Sequence, residues 1–169
     1  YSGLDGIQLA GKIIEQYNDY NGQGFEVHIF IDAGGGYGGS PLDHLRFLGY
    51  GPLDVFPGRK ANKEQVYRYK SDELWGDMKD SIKSGLCLPE KGSQIGPEIR
   101  DQLTMREFGY TISGSKICLE PKSKMKDRGL ASPDIIDALA ITYAEELAPA
   151  SVMFGENKKA LMVEHEYNP

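Results

Sequence analysis

Residues 25–32, Phe-Glu-Val-His-Ile-Phe-Ile-Asp, constrain the fold of this chain more than any other stretch. Strand-forming residues dominate it, and toward its end the apolar run is continuous instead of alternating. A strand of that kind belongs in the middle of a sheet covered on both faces, as in parallel α/β proteins. A glycine-rich turn from Ala33 to Gly39 follows, and then a helix over 41–48 that carries Leu42, Leu45 and Leu48. Asp32 closes the strand. In open α/β sheets, sites form beyond the carboxyl ends of strands, so Asp32 is well placed for chemistry. The glycines after it allow close approach of backbone or ligand.

The rest of the chain continues the alternation. Hydrophobic spacing predicts a helix over 5–20, through Ile7, Leu9, Ala10, Ile13, Ile14 and Tyr17, with Asn21-Gly22 as its stop. Leu53 to Phe56 reads as a short strand, and 64–84 as a helix around Leu74, Trp75, Met78 and Ile82. Leu86-Cys87-Leu88 is a strand candidate, and 97–107 a short helix. Tyr110–Ile112 and Lys116–Leu119 flank Ser113-Gly114-Ser115 as a hairpin. The last helix spans 133–147, and an irregular acidic surface tail follows Pro149. This pattern is α/β, with parallel neighbours and an antiparallel edge.

With 169 residues the chain is long enough for one domain with a real core. No apolar run approaches the roughly 20 residues of a membrane span, and no secretory signal pattern opens the chain. Tyr1 in place of Met reads as the start of a fragment or processed chain. Cys87 and Cys118 make no disulfide framework, so cytosol is the default compartment; both read as core residues. The net charge of −6 argues against general nucleic-acid affinity. Between Lys116 and Arg128, however, Lys116, Lys122, Lys124, Lys126 and Arg128 face only Glu120 and Asp127. Such a stretch meets phosphates or forms a solvated loop.

In Ser132-Pro133-Asp134, serine as N-cap and proline as first residue open the last helix. Ile136, Leu139, Ala140, Tyr143 and Leu147 form its apolar face, with Asp137 on the border and Asp134 one turn earlier. On spacing alone the two carboxylates either hold a divalent metal, or serve the helix dipole and bond a neighbour. With Asp32 they make three carboxylates from two segments, the all-oxygen donor set that Mg²⁺ or Mn²⁺ prefers. In a two-metal site one ion activates water and the other stabilises the leaving oxygen of a phosphodiester. The rival reading is a dinucleotide site. Gly34-x-Gly36-x-x-Gly39 follows a strand and precedes a helix, with Asp54 near the ribose-binding position. Against it, Asp32 sits where phosphate charge would lie. There is no Walker A lysine pattern. Trp75 reads as core, Glu73 as facing water in preference to orienting metal-site neighbours, and His28 as a satisfied structural histidine; His44 and His165 lack metal-ligand partners at useful spacing.

Five stretches in order carry a family resemblance: Phe30 to Gly38; Leu42 to Gly49; Tyr67 through Trp75; Ile117 to Gly129; and Ser132 through Ala144. Over roughly residues 4–148 the chain resembles the C-terminal nuclease domain of the large terminase subunit of tailed bacteriophages. The resemblance implies an RNase H-like fold, with a mixed central sheet and flanking helices, and a nuclease domain over 1–148 followed by a tail over 149–169. It implies a two-metal endonuclease that cuts concatemeric double-stranded viral DNA during packaging in the host cytoplasm. Asp32 and Asp137 match metal ligands, with Asp134 beside them, and Lys122, Lys124, Lys126 and Arg128 would lie near DNA. The portal protein, the small terminase subunit and an upstream ATPase domain are the implied partners. The family's first catalytic aspartate sits on an opening strand that would precede Tyr1, so the sheet is expected to lack its first three strands. A catalytically inactive docking module is the corresponding alternative.

Overall fold

The computed structural model describes residues 3–36 and 38–147. Tyr37 and the expected tail lie outside the described residues. The elements run α1 (Gly6–Gly22), β1 (Phe30–Asp32), α2 (Gly39–Phe47), β2 (Leu53–Val55), α3 (Lys70–Lys83), α4 (Gly96–Met105), β3 (Phe108–Tyr110), β4 (Ile117–Leu119), α5 (Lys122–Asp127) and α6 (Asp134–Ile141). The chain is mixed α/β. None of its described helices is long and apolar enough to cross a membrane.

The first half is a β-α-β unit preceded by a helix. Asp5 opens α1 by accepting the Gln8 N–H at 2.8 Å, while the Gln8 side chain accepts the Asp5 N–H at 3.1 Å, a reciprocal capping box. Helix α1 packs on α2, burying Ala10, Leu42 and Leu45. Strands β1 and β2 pair in parallel, with Phe30 opposite Leu53 and Asp32 opposite Val55. The expected strand over 25–32 is thus paired only from residue 30. Its partner β2 is itself only three residues long, Leu53–Val55. The ladder uses the Ile29 carbonyl, bonded to the Leu53 N–H at 2.8 Å, and the Ala33 N–H, bonded to the Val55 carbonyl at 2.7 Å. The backbone groups of Phe30 and Asp32 therefore face the other edge. Among the described residues β2 is the only strand paired with β1.

The second half surrounds the main core. Val55, Leu74, Trp75, Met78, Ile99, Leu119, Ile136 and Ala140 bury together, so α3, α4 and α6 converge on β2 and β4. The expected hairpin forms, but its first strand lies at Phe108–Tyr110 instead of Tyr110–Ile112, with Phe108 opposite Leu119 and Tyr110 opposite Ile117, so Thr111 and Ile112 belong to the turn. Asp72, 3% exposed, joins this hairpin to α3: one oxygen accepts the Leu119 N–H at 2.9 Å and the other accepts the Tyr69 N–H at 2.8 Å. The second bond starts α3 at residue 70 instead of 64. The preceding residues are used elsewhere, since Val66 and Arg68 bond across to Ile117.

Three further expectations are corrected. Leu86–Leu88 pairs with no strand, and Cys87 is exposed while Cys118 is half-buried, so neither cysteine is a fully buried core residue. The basic stretch is not one loop, because Lys122–Asp127 is helical around a buried Met125. Helix α6 begins at Asp134 without a cap bond from Ser132. Its cap comes from outside: Gln102 of α4, 7% exposed, accepts the N–H groups of Ile135 at 2.9 Å and Ile136 at 3.3 Å. After Ile141 the chain tightens through i→i−3 bonds from Thr142, Tyr143 and Ala144, which ends α6 before the expected residue 147.

Replacing Gln102 by leucine keeps the volume but leaves two buried donors unpaired. The expected loss of folding stability is about 1–3 kcal/mol, measured by urea denaturation. An unchanged midpoint would show that α6 does not depend on this cap.

Candidate active site

Asp32 emerges from β1 at the protein surface. One of its oxygens accepts the Gly34 N–H at 2.7 Å, folding the chain back over the strand end. Gly35 (φ 73°) and Gly36 (φ 84°) then take left-handed conformations that side chains disfavour. Gly38 is required for a different reason: a Cβ there would lie 2.1 Å from the Asp32 carbonyl oxygen. The turn thus presents Asp32. It does not cradle phosphate with the Gly34 amide, because the carboxylate already holds that amide. Asp54, the other acid of the dinucleotide reading, pairs with Arg46 at 2.9 Å.

Helix α6 packs against β1. Thr142, just past its end, lines the same groove as residues 27–30, which lead into the start of β1. The helix therefore runs back along the strand, and its first turn points toward the Asp32 end. Asp134 is exposed there, and its carboxylate makes no hydrogen bond or ion pair with other described residues.

Asp137 is held differently. Its Oδ1 accepts the indole Nε1–H of Trp75 at 2.9 Å and a guanidinium N–H of Arg106 at 3.3 Å. Its Oδ2 pairs with Lys122 Nζ at 2.6 Å. Arg106 also donates from Nε to the Glu120 carbonyl at 3.0 Å and lies over the Trp75 ring at 5.4 Å. Trp75 is core, as its spacing predicts, but its buried N–H needs an acceptor and finds it in Asp137. That requirement is the sequence signal that links positions 75 and 137. Nothing in the local sequence marks Arg106.

The basic residues divide into two groups. Lys122 turns inward to Asp137, and Arg128 bonds Glu107, Glu120 and the Met105 carbonyl. Lys124 and Lys126 stand on the exposed side of α5 and form no ion pair with other described residues.

A two-metal centre needs several oxygens free to converge on each ion. Among the described residues no three His, Cys, Asp or Glu side chains gather as a metal-holding group. Both oxygens of Asp137 are engaged by protonated donors. Asp32 and Asp134 retain free carboxylate oxygens that could hold a divalent cation. Of the two spacing-based readings, the geometry around Asp137 is that of a carboxylate bonding its neighbours.

Glu73, read from sequence as facing water, is instead buried. It pairs with Lys70 at 2.9 Å and accepts the Lys63 N–H at 3.0 Å. Burial pushes its carboxyl pKa up, but the hydrogen bonds from Lys70 and the Lys63 backbone outweigh this and hold it below the ordinary value of 4.5. His28 bonds Glu26 at 3.0 Å and lies near the surface, not enclosed. Comparisons with protein-family models, curated proteins and solved structures found no match.

A depressed folded-state pKa contributes stability that is complete above the unfolded value and disappears as pH falls through the folded value. Glu73→Gln is therefore expected to lower stability at neutral pH and to flatten the acid limb of the stability curve below about pH 4.5. Denaturation midpoints measured across the acid range check this; an acid limb as steep as that of the parent would refute it.

Proposed function

We propose that this chain is the nuclease part of a phage large terminase subunit, a metal-dependent endonuclease acting on double-stranded viral DNA. The observation that carries the reading is the placement of Asp32 at the carboxyl end of a parallel strand, with a helix packed against that strand and bearing Asp134 and Asp137 in its first turn. The basic helix α5 precedes this site in the chain and turns Lys124 and Lys126 outward. In this role the RNase H-like arrangement would be completed by the expected opening strand. The portal protein, the small terminase subunit and an ATPase domain would be its partners in the host cytoplasm. Mg²⁺ or Mn²⁺ would supply water activation. Asp32 and Asp134 are the carboxylates with oxygens to offer, while Asp137 is held by Lys122 and Arg106. Lys124 and Lys126 would bind the phosphate backbone without reading sequence.

One observation favours the second reading, a docking module without catalysis: Asp137 is already neutralised, and the described side chains gather no metal group. The two readings separate in a plasmid-nicking assay with Mn²⁺, using a polypeptide that also carries the expected opening strand. Asp32→Asn and Asp134→Asn are each expected to abolish nicking. Cutting that survives both changes would sink the nuclease assignment, and a parent protein that binds DNA but never cuts it would establish the docking reading.

The outward lysines have their own test. Neutralising Lys124 and Lys126 should make the slope of log affinity against log salt shallower by about 2, near one for each phosphate no longer neutralised. An unchanged slope would place α5 away from DNA.

A further inference from the structure

A second feature of the surface is unrelated to Asp32. Between α3 and α4 lies an open groove of about 310 Å³. Trp75 and Met78 form its floor, and Ile82, Leu103 and Phe108 form its half-buried walls. Its remaining lining residues, Lys79, Lys83 and Arg106, are all cationic. A chain of net charge −6 thus presents an apolar groove lined by Lys79, Lys83 and Arg106, the last of them already paired with Asp137, and by no negative side chain.

We propose that this groove docks an acidic amphipathic peptide segment of a partner protein, with apolar side chains entering the groove and carboxylates meeting its rim. Charge complementarity selects the occupant. Lys79 and Lys83 are exposed on one side of α3; Lys83 has one loose pairing, with Asp80 at 3.7 Å, a pair exposed enough to exchange readily. The apolar floor excludes a nucleic-acid backbone, whose partners are cationic, polar and amide groups. Single-stranded bases, which stack on open aromatic faces, are also poorly served. Lys79 covers the Phe108 ring at 4.9 Å, and Arg106 covers Trp75 at 5.4 Å. A helix laying an apolar stripe into a groove is a common recognition mode, and the half-buried Ile82, Leu103 and Phe108 walls are what it would meet.

Trp75 is the only tryptophan of the chain, so its fluorescence reports on the groove directly. The experiment titrates the whole chain with three probes. The first is a synthetic helical peptide with Leu and Phe at i, i+3, i+4 and i+7 and glutamate elsewhere. The second is the same peptide with lysine replacing glutamate, and the third is a short DNA duplex. The acidic peptide is expected to shift Trp75 emission saturably, and Lys79→Glu with Lys83→Glu to weaken it by about tenfold or more. Both lysines are exposed, so circular dichroism of the variant should match that of the parent. Absence of a saturable shift, equal binding of the lysine peptide, unchanged affinity in the double variant, or displacement of the peptide by the duplex would each overturn the proposal. The readout involves no DNA cleavage, so its failure leaves the nuclease reading intact and the converse also holds.

Discussion

A carboxylate pressed against a hydrophobic core must be neutralised where it stands, and Asp137 imposes that condition on this fold. Its helix cannot bury Ile136 and Ala140 without bringing the carboxylate against Trp75. The indole N–H, Arg106 and Lys122 answer the requirement from three separate segments. Each of the three has a further attachment. Trp75 lies in the core, Arg106 ties the end of α4 to the residue after β4, and Lys122 opens α5. One half-buried charge therefore fixes how α3, α5 and α6 meet. A hydrogen bond to a charged group contributes about 1.5–3 kcal/mol, and a charge left unpaired costs more than the bond gained.

The same logic recurs around the core. Asp72 joins α3 to the hairpin, Gln102 caps α6 from α4, and Glu73 anchors the chain before α3 through Lys70 and the Lys63 amide. In each case a polar side chain satisfies backbone or charged groups on another segment. Every buried side-chain polar atom among the described residues has a partner. At the surface, Asp134 and the outward lysines of α5 have no charged partner among the described residues, and Asp32 keeps a free oxygen.

Most of the element order was legible in the sequence, because it follows from periodicity and turn residues close along the chain. The helices over 6–22 and 96–105 and the hairpin at residues 108–119 lie near their expected positions. Boundaries moved wherever a distant partner intervened. Helix α3 starts later than expected because Val66 and Arg68 pair with Ile117, and β1 is shorter than expected because its partner β2 supplies only three residues. At the site, the carboxylates were visible as residue types at a helix start and a strand end. The occupation of Asp137 was not, since Arg106 is thirty-one positions away and Trp75 sixty-two.

By itself the sequence determined that this chain is α/β, that Asp32 ends a strand, that two aspartates open the last helix, and that a basic segment precedes it. Those features depend on local spacing, capping and hydrophobic period, which act over a few residues. Only the tertiary structure decided which carboxylates remain free, which lysines face outward, and where apolar side chains and cations line one groove. Those outcomes depend on desolvation and pairing between segments, and a charge finds its partner through the packing of the core around it.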